Sequence, residues 1–84
     1  MIIHLKPGDN ITSVRLITNE SIRNWKYGSE CENMGGSFAS GTTFKVVEVH
    51  SLMGDMWVRV EIPGSDPTRH LKIWGDNLAH NFKS

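Results

Sequence analysis

From Thr42 to Trp74 the chain alternates apolar and polar residues in three short runs punctuated by glycine and proline. That rhythm restricts it to antiparallel sheet. The first run, Thr42–Ser51 (T-T-F-K-V-V-E-V-H-S), is rich in β-branched residues, which suit a pleated, half-buried surface. Strict alternation places Phe44, Val46, Glu48 and His50 on one face and Lys45, Val47 and Val49 on the other. Leu52-Met53-Gly54-Asp55 is a turn, with Gly54 free to take positive φ. In Met56–Ile62, Val58, Val60 and Ile62 point inward while Trp57, Arg59 and Glu61 point out, so the two runs predict a hairpin.

Pro63-Gly64-Ser65-Asp66-Pro67 interrupts the ladder, because proline cannot donate to it. Arg69–Trp74 alternates again, with Leu71 and Ile73 inward and His70, Lys72 and Trp74 outward. Gly75 ends that strand, and Asp76–Phe82 predicts a short helical turn capped by Asp76 or Asn77. The first half is less regular. Pro7-Gly8-Asp9-Asn10 is a turn, Ile11–Ile17 is a predicted strand, and Ser21–Tyr27 is a short helical turn or an irregular strand. A long Gly/Ser-rich loop follows near residues 28–41, with Gly35, Gly36, Gly41, Ser37 and Ser40. It offers few groups that build a core, and loops of this length are often functional.

Eighty-four residues make one domain with a modest core. Nine basic and nine acidic residues cancel. The halves cancel too: Lys6, Arg15, Arg23 and Lys26 face Asp9, Glu20, Glu30 and Glu32 in residues 1–42. The basic excess that phosphate contacts demand of a nucleic-acid binder is absent, although a local patch is compatible with it. The single cysteine, Cys31, forms no intrachain disulfide, which points to a reducing compartment and a cytoplasmic location. No apolar run suggests a signal peptide or approaches the roughly 20 residues of a membrane span.

Gly41-Thr42-Thr43-Phe44-Lys45-Val46-Val47-Glu48-Val49, then Gly54-Asp55-Met56-Trp57-Val58-Arg59-Val60, then Leu71-Lys72-Ile73-Trp74-Gly75-Asp76-Asn77-Leu78 carry a wider likeness. Short strands, a long early loop, a hairpin and a final one-turn helix in that order resemble the SH3-like barrels. The likeness covers residues 41–82. It implies a small antiparallel barrel of about five strands with a short C-terminal helical turn. Proline-rich recognition is not carried over, because it needs an aromatic-lined groove and Ile11–Ile17 has no aromatic residue.

Chemistry-bearing patterns are few. His4, His50, His70, His80 and Cys31 show neither C-x-x-C nor H-x-x-x-H spacing, although His50 and His70 are expected to be cross-strand neighbours. Cys31 lies between Glu30 and Glu32, which disfavour a thiolate. Asp55, Glu61, Asp66 and Asp76 are scattered over turns and a wet face. No metal, cofactor or catalytic group is expected. The informative set is Trp57, Arg59, Lys72 and Trp74, all assigned to outward faces of two strands; outward Trp and Arg are enriched at binding hot spots. Arg23 and Trp25, with Arg15, Lys26 and Tyr27, form a second aromatic–basic group. The alternative for an indole is to tuck under the Ser29–Gly41 loop. These residues lead to the expectation of a non-enzymatic protein-binding module. It would be an adaptor, or an inhibitor that masks a partner's surface, of the kind viruses and mobile elements encode. The competing expectation is a nucleic-acid-binding domain whose indoles stack bases. Pairing of an exposed Ile11–Ile17 edge with its copy would give a homodimer.

Overall fold

The computed structural model describes residues 4–25 and 36–84. Lys26, Tyr27 and Cys31 lie outside the described residues. The hairpin expected from the alternation forms as β2 (Thr43–Leu52) and β3 (Asp55–Glu61). Met53 and Gly54 make its turn, and both have positive φ, 53° and 89°. A two-residue turn with both central residues left-handed matches the twist of the flanking strands. Gly54 adopts that conformation freely, whereas Met53 does so against its own Cβ.

Strict alternation fails within β2, and a bulge is the reason. Val46 lies opposite Val60, yet Glu48 lies opposite Arg59, so Val47 is an extra residue. Phe44 and Val46 face the core before the bulge, and Val49, opposite Val58, faces inward after it. Glu48 and His50 therefore share the outer face with Arg59 and Trp57, not the inner face with Phe44 and Val46. A one-residue slip moves every later side chain to the other face.

β4 (His70–Trp74) pairs antiparallel with β3. β1 (Asn10–Ser13) pairs antiparallel with the start of β2 and, on its other side, with β5 (Phe82–Lys83). The sheet order is β4-β3-β2-β1-β5. β1 is shorter than Ile11–Ile17. Continued alternation would bury Arg15 beside Ile11 and Ser13, so the chain leaves the ladder and exposes Val14, Arg15 and Leu16. Ile17 returns through an isolated bridge, exchanging two hydrogen bonds of 2.8 Å with Phe38. β1 thus lies between β2 and β5 rather than at the edge of the sheet where the edge-pairing expectation placed it.

The protein is mainly β, and one sheet supplies most of the core, with Ile17, Ile22, Ile62 and Leu78 added from the helices and connections. The sheet's inner face carries Ile11, Phe44, Val46, Val58, Val60, Leu71 and Ile73, each fully buried. A single sheet covers its own face only by curling; the Val47 bulge, within the β3-paired stretch just past the residues that pair with β1, adds twist. No pairing joins β4 to β5 among the described residues, so the sheet is curled but not closed.

Two short helices fill the open sides. α1 (Asn19–Arg23) begins with a capping box between Thr18 and Ser21 and buries Ile22. α2 (Gly75–Asn81) connects β4 to β5 and buries Asn77 and Leu78. Its cap is Trp74 rather than Asp76 or Asn77, because the helix starts directly at Gly75, where a Cβ would sit 3.3 Å from the Met56 carbonyl oxygen. Phe38, from the loop expected to contribute little to the core, packs edge-on against Phe44 at 5.5 Å, and Phe44 against Phe82 at 5.6 Å. Ser13 ties this loop down: its buried hydroxyl donates to the Ala39 carbonyl (3.0 Å) and accepts from the Thr42 N–H (3.2 Å). Among the described residues no helix is long and apolar enough to cross a membrane.

Candidate recognition face

The outer face of β2, β3 and β4 is organised by cross-strand pairing into rows. Lys45, Glu61 and His70 form one row; Glu48, Arg59 and Lys72 the next; His50, Trp57 and Trp74 the third. Leu52 and Asp55 complete the face at the hairpin end. Period-two alternation along β3 and β4 places Trp57, Arg59, Lys72 and Trp74 together, and adjacency of the two strands makes them one patch.

The aromatic row is held by contacts within itself. The His50 imidazole stacks on Trp57 with centroids 4.8 Å apart and planes 6° apart. Lys72 Nζ lies over both indoles, 4.4 Å from the Trp57 centroid and 4.8 Å from that of Trp74. The Arg59 guanidinium stands 5.5 Å from the Trp57 centroid, while its Nε donates to Glu48 Oε1 at 3.1 Å. Stacked aromatic pairs and exposed cation–π contacts each contribute about 0.5–1.5 kcal/mol, enough to fix ring orientation across three strands. Trp57 and Trp74 are accordingly half-buried while remaining on the surface.

Beyond the row lies a groove of about 260 Å³ lined by His50, Leu52, Asp55, Trp57 and Trp74. Two apolar side chains project beside it at the hairpin: Leu52 is 66% exposed and Met53 95%. His50, Leu52, Met53 and Asp55 are the members of this face that sequence reasoning missed. The signal was the Val46-Val47 doublet, where alternation slips. Reading it as a bulge would have turned His50 outward to meet Trp57.

Arg23 and Trp25 do not join this face. Arg23 is exposed at the end of α1, and Trp25 is half-buried with its ring edge-on to Phe82 at 6.1 Å, so it anchors the core from the side of β5. Trp25 is therefore a packing residue on that side, and the expected cover of an indole by the Ser29–Gly41 loop lies largely outside the described residues. His50 and His70 are not neighbours, because β3 lies between β2 and β4; His70 stands opposite Glu61. Among the described residues no three of His, Cys, Asp and Glu converge as a metal site would require.

Fold and face together define a small, mainly-β domain: a curled five-stranded antiparallel sheet with a preorganised aromatic–cationic surface on its outer side. Comparison with protein-family models, curated proteins and solved structures returned no match to this chain.

Proposed function

We propose that this protein is a non-enzymatic protein-binding module that docks its partner on the outer face of β2–β4, acting as an adaptor or as an inhibitor that masks the partner's surface. The observation that carries this reading is the cross-strand row His50–Trp57–Trp74, continuous with exposed Leu52 and Met53. Rigid indoles lose little entropy on binding and concentrate energy at interfaces, and an apolar rim of this kind is exposed in solution at a cost in solubility. The SH3-like reading has support from the element order: β1 lies between β2 and β5, the longest connection follows β1, and a short helix precedes β5. A cytoplasmic location is proposed with it, on the single cysteine.

The nucleic-acid reading draws on Arg59 and Lys72 beside the indoles. Three features favour protein instead. Arg59 is paired with Glu48, His50 already stacks on Trp57, and the net charge is zero. The discriminating experiment is capture from lysate on tagged protein, with and without nuclease, beside a Trp57→Ala/Trp74→Ala variant shown to be folded. A defined protein that survives nuclease and is lost with the folded variant supports the proposal. Capture that disappears on nuclease treatment overturns it in favour of nucleic acid.

A further inference from the structure

The β2–β3 hairpin reaches beyond β1 and leaves the second half of β2 with an open edge. Ile62 N–H donates to the Arg69 carbonyl at 2.8 Å, so Ile62, Val60 and Val58 turn their backbone groups to β4, while Arg59, Trp57 and Asp55 turn theirs to β2. Their opposites Glu48, His50 and Leu52 therefore bond to β3, and Val49 and Ser51 direct N–H and C=O to the other edge. β1 covers that edge only as far as Lys45, and beyond it Val46 bonds to Gly8 and Asp9. There the chain turns away: Asp9 N–H donates to the Lys6 carbonyl at 3.1 Å, and Lys6 N–H to Asp9 Oδ2 at 3.0 Å. Among the described residues no backbone group meets those of Val49 and Ser51.

An edge of this kind accepts another strand, and proteins block it with lysine or proline. Glu48-Val49-His50-Ser51-Leu52 holds neither, and a net charge of zero sets up no general repulsion between copies. The segment also fits itself. In an antiparallel pair, edge-facing residues must oppose edge-facing residues. Val49 against the second copy's Val49 would drive Leu52 onto Val46, where Gly8 and Asp9 already bond. Glu48 against Glu48 sets like charges directly opposite. Ser51 against Ser51 matches Val49 with Met53, a residue of the turn. Val49 against Ser51 has none of these faults. Each such pair exchanges two backbone hydrogen bonds, His50 meets its own copy on the axis, and Glu48 faces Leu52 with the copy's His50 on its diagonal. The row Trp74–Trp57–His50 then continues through the axis into the same row of the second copy.

We infer that the protein self-associates through this edge of β2, two copies pairing antiparallel about a two-fold axis at His50. The inference stands independently of the docking reading. Glu48–Leu52 is a short edge that buries less than the roughly 1,200 Å² of a stable interface, so the dimer is reversible and concentration-dependent.

The test is sedimentation of the whole protein over a concentration range reaching about 1 mM, where weak contacts are populated. The sedimentation coefficient is expected to rise with concentration towards that of a dimer. Ser51→Pro removes an edge-facing donor and no bond within the monomer, and proline is tolerated where the N–H faces solvent. It should weaken the dimer about tenfold or more while keeping the circular dichroism of the monomer. Cysteine cross-linking reads the register without relying on that variant. In a Cys31→Ser background, His50→Cys should give a covalent dimer with diamide, because directly opposed residues bring their Cβ atoms within disulfide reach, and Glu48→Cys should not. Protein that stays monomeric throughout the range, or a dimer that folded Ser51→Pro leaves intact, overturns the inference. Cross-linking through Glu48→Cys in place of His50→Cys overturns the register, and with it the fit of this edge to a second copy. Shielding of the Val49 and Ser51 amides from hydrogen exchange only when a captured protein is bound overturns it in favour of a foreign strand.

Discussion

Met53 occupies a backbone conformation that favours another residue. Its φ of 53° is left-handed, and its side chain is 95% exposed, so no burial compensates. The left-handed region costs an ordinary L-residue roughly 1–2 kcal/mol, and asparagine much less because its side chain bonds locally to the backbone. Met53→Asn should therefore stabilise the fold by about 0.5–1 kcal/mol, since the turn and the β2–β3 register stay as they are. For a domain of this size each kcal/mol moves Tm by about 4–8 °C, so the expected rise is roughly 2–8 °C. Gly54→Ala, at φ 89°, should move Tm the opposite way. Paired thermal and urea melts of the three proteins make the measurement. An unchanged or lower Tm for Met53→Asn would refute the reasoning, because it would mean that the turn is not left-handed at Met53 or that Met53 packs on the fold. A stabilised variant that binds its partner more weakly would identify the methionine as retained for contact at the expense of turn geometry.

Other perturbations probe different layers of the structure. Ser13→Ala removes two hydrogen bonds that fix the chain ahead of β2, while the Ala39 carbonyl and the Thr42 N–H keep each other as partners, so chemical denaturation should show a loss of about 0.5–1.5 kcal/mol. Phe44→Ala empties the centre of the Phe38–Phe44–Phe82 ring cluster and should cost about 3–5 kcal/mol, leaving a domain of this size largely unfolded at room temperature by circular dichroism. Glu48→Gln breaks an ion pair whose side chains are 31% and 49% exposed, so its effect on stability should stay within about 0.5 kcal/mol and shrink further with added salt.

The parts of this fold that were legible in the sequence are those where local pattern and tertiary demand agree. In β3 and β4 the period of two places Val58, Val60, Leu71 and Ile73 inside and Trp57, Arg59, Lys72 and Trp74 outside, as observed. Where the two conflict, pattern alone misleads. In β2 apolar and polar residues alternate as far as His50 only if Val47 is set aside as a bulge; counted as an ordinary strand residue, it turns Glu48 and His50 to the inner face. The run Ile11–Ile17 reads as one strand until the burial of Arg15 is considered, and then it must break. The helix cap was misplaced because Asp76 and Asn77 are good capping residues by type, whereas the direct passage from β4 into α2 leaves only Trp74 in the capping position. Half of the recognition face was visible as exposed Trp, Arg and Lys. The other half was less so: His50 and Leu52 turn outward only when the Val46-Val47 doublet is read as a bulge, and Met53 and Asp55 lie at the hairpin turn, where type alone says little about exposure.

The most direct test is calorimetric affinity for the captured protein partner, measured with folded variants on two separated surfaces. Trp57→Ala lies on the outer face of β2–β4 and Met53→Gln at the β2–β3 turn beside it, while Arg23→Ala and Leu16→Gln lie on exposed positions elsewhere. If the aromatic row is the docking surface, Trp57→Ala weakens binding about thirtyfold or more, as loss of a hot-spot tryptophan does, and the two distant variants stay within about twofold. Undiminished affinity in Trp57→Ala and Met53→Gln, with loss in Arg23→Ala or Leu16→Gln, would place the interface elsewhere and contradict the proposal.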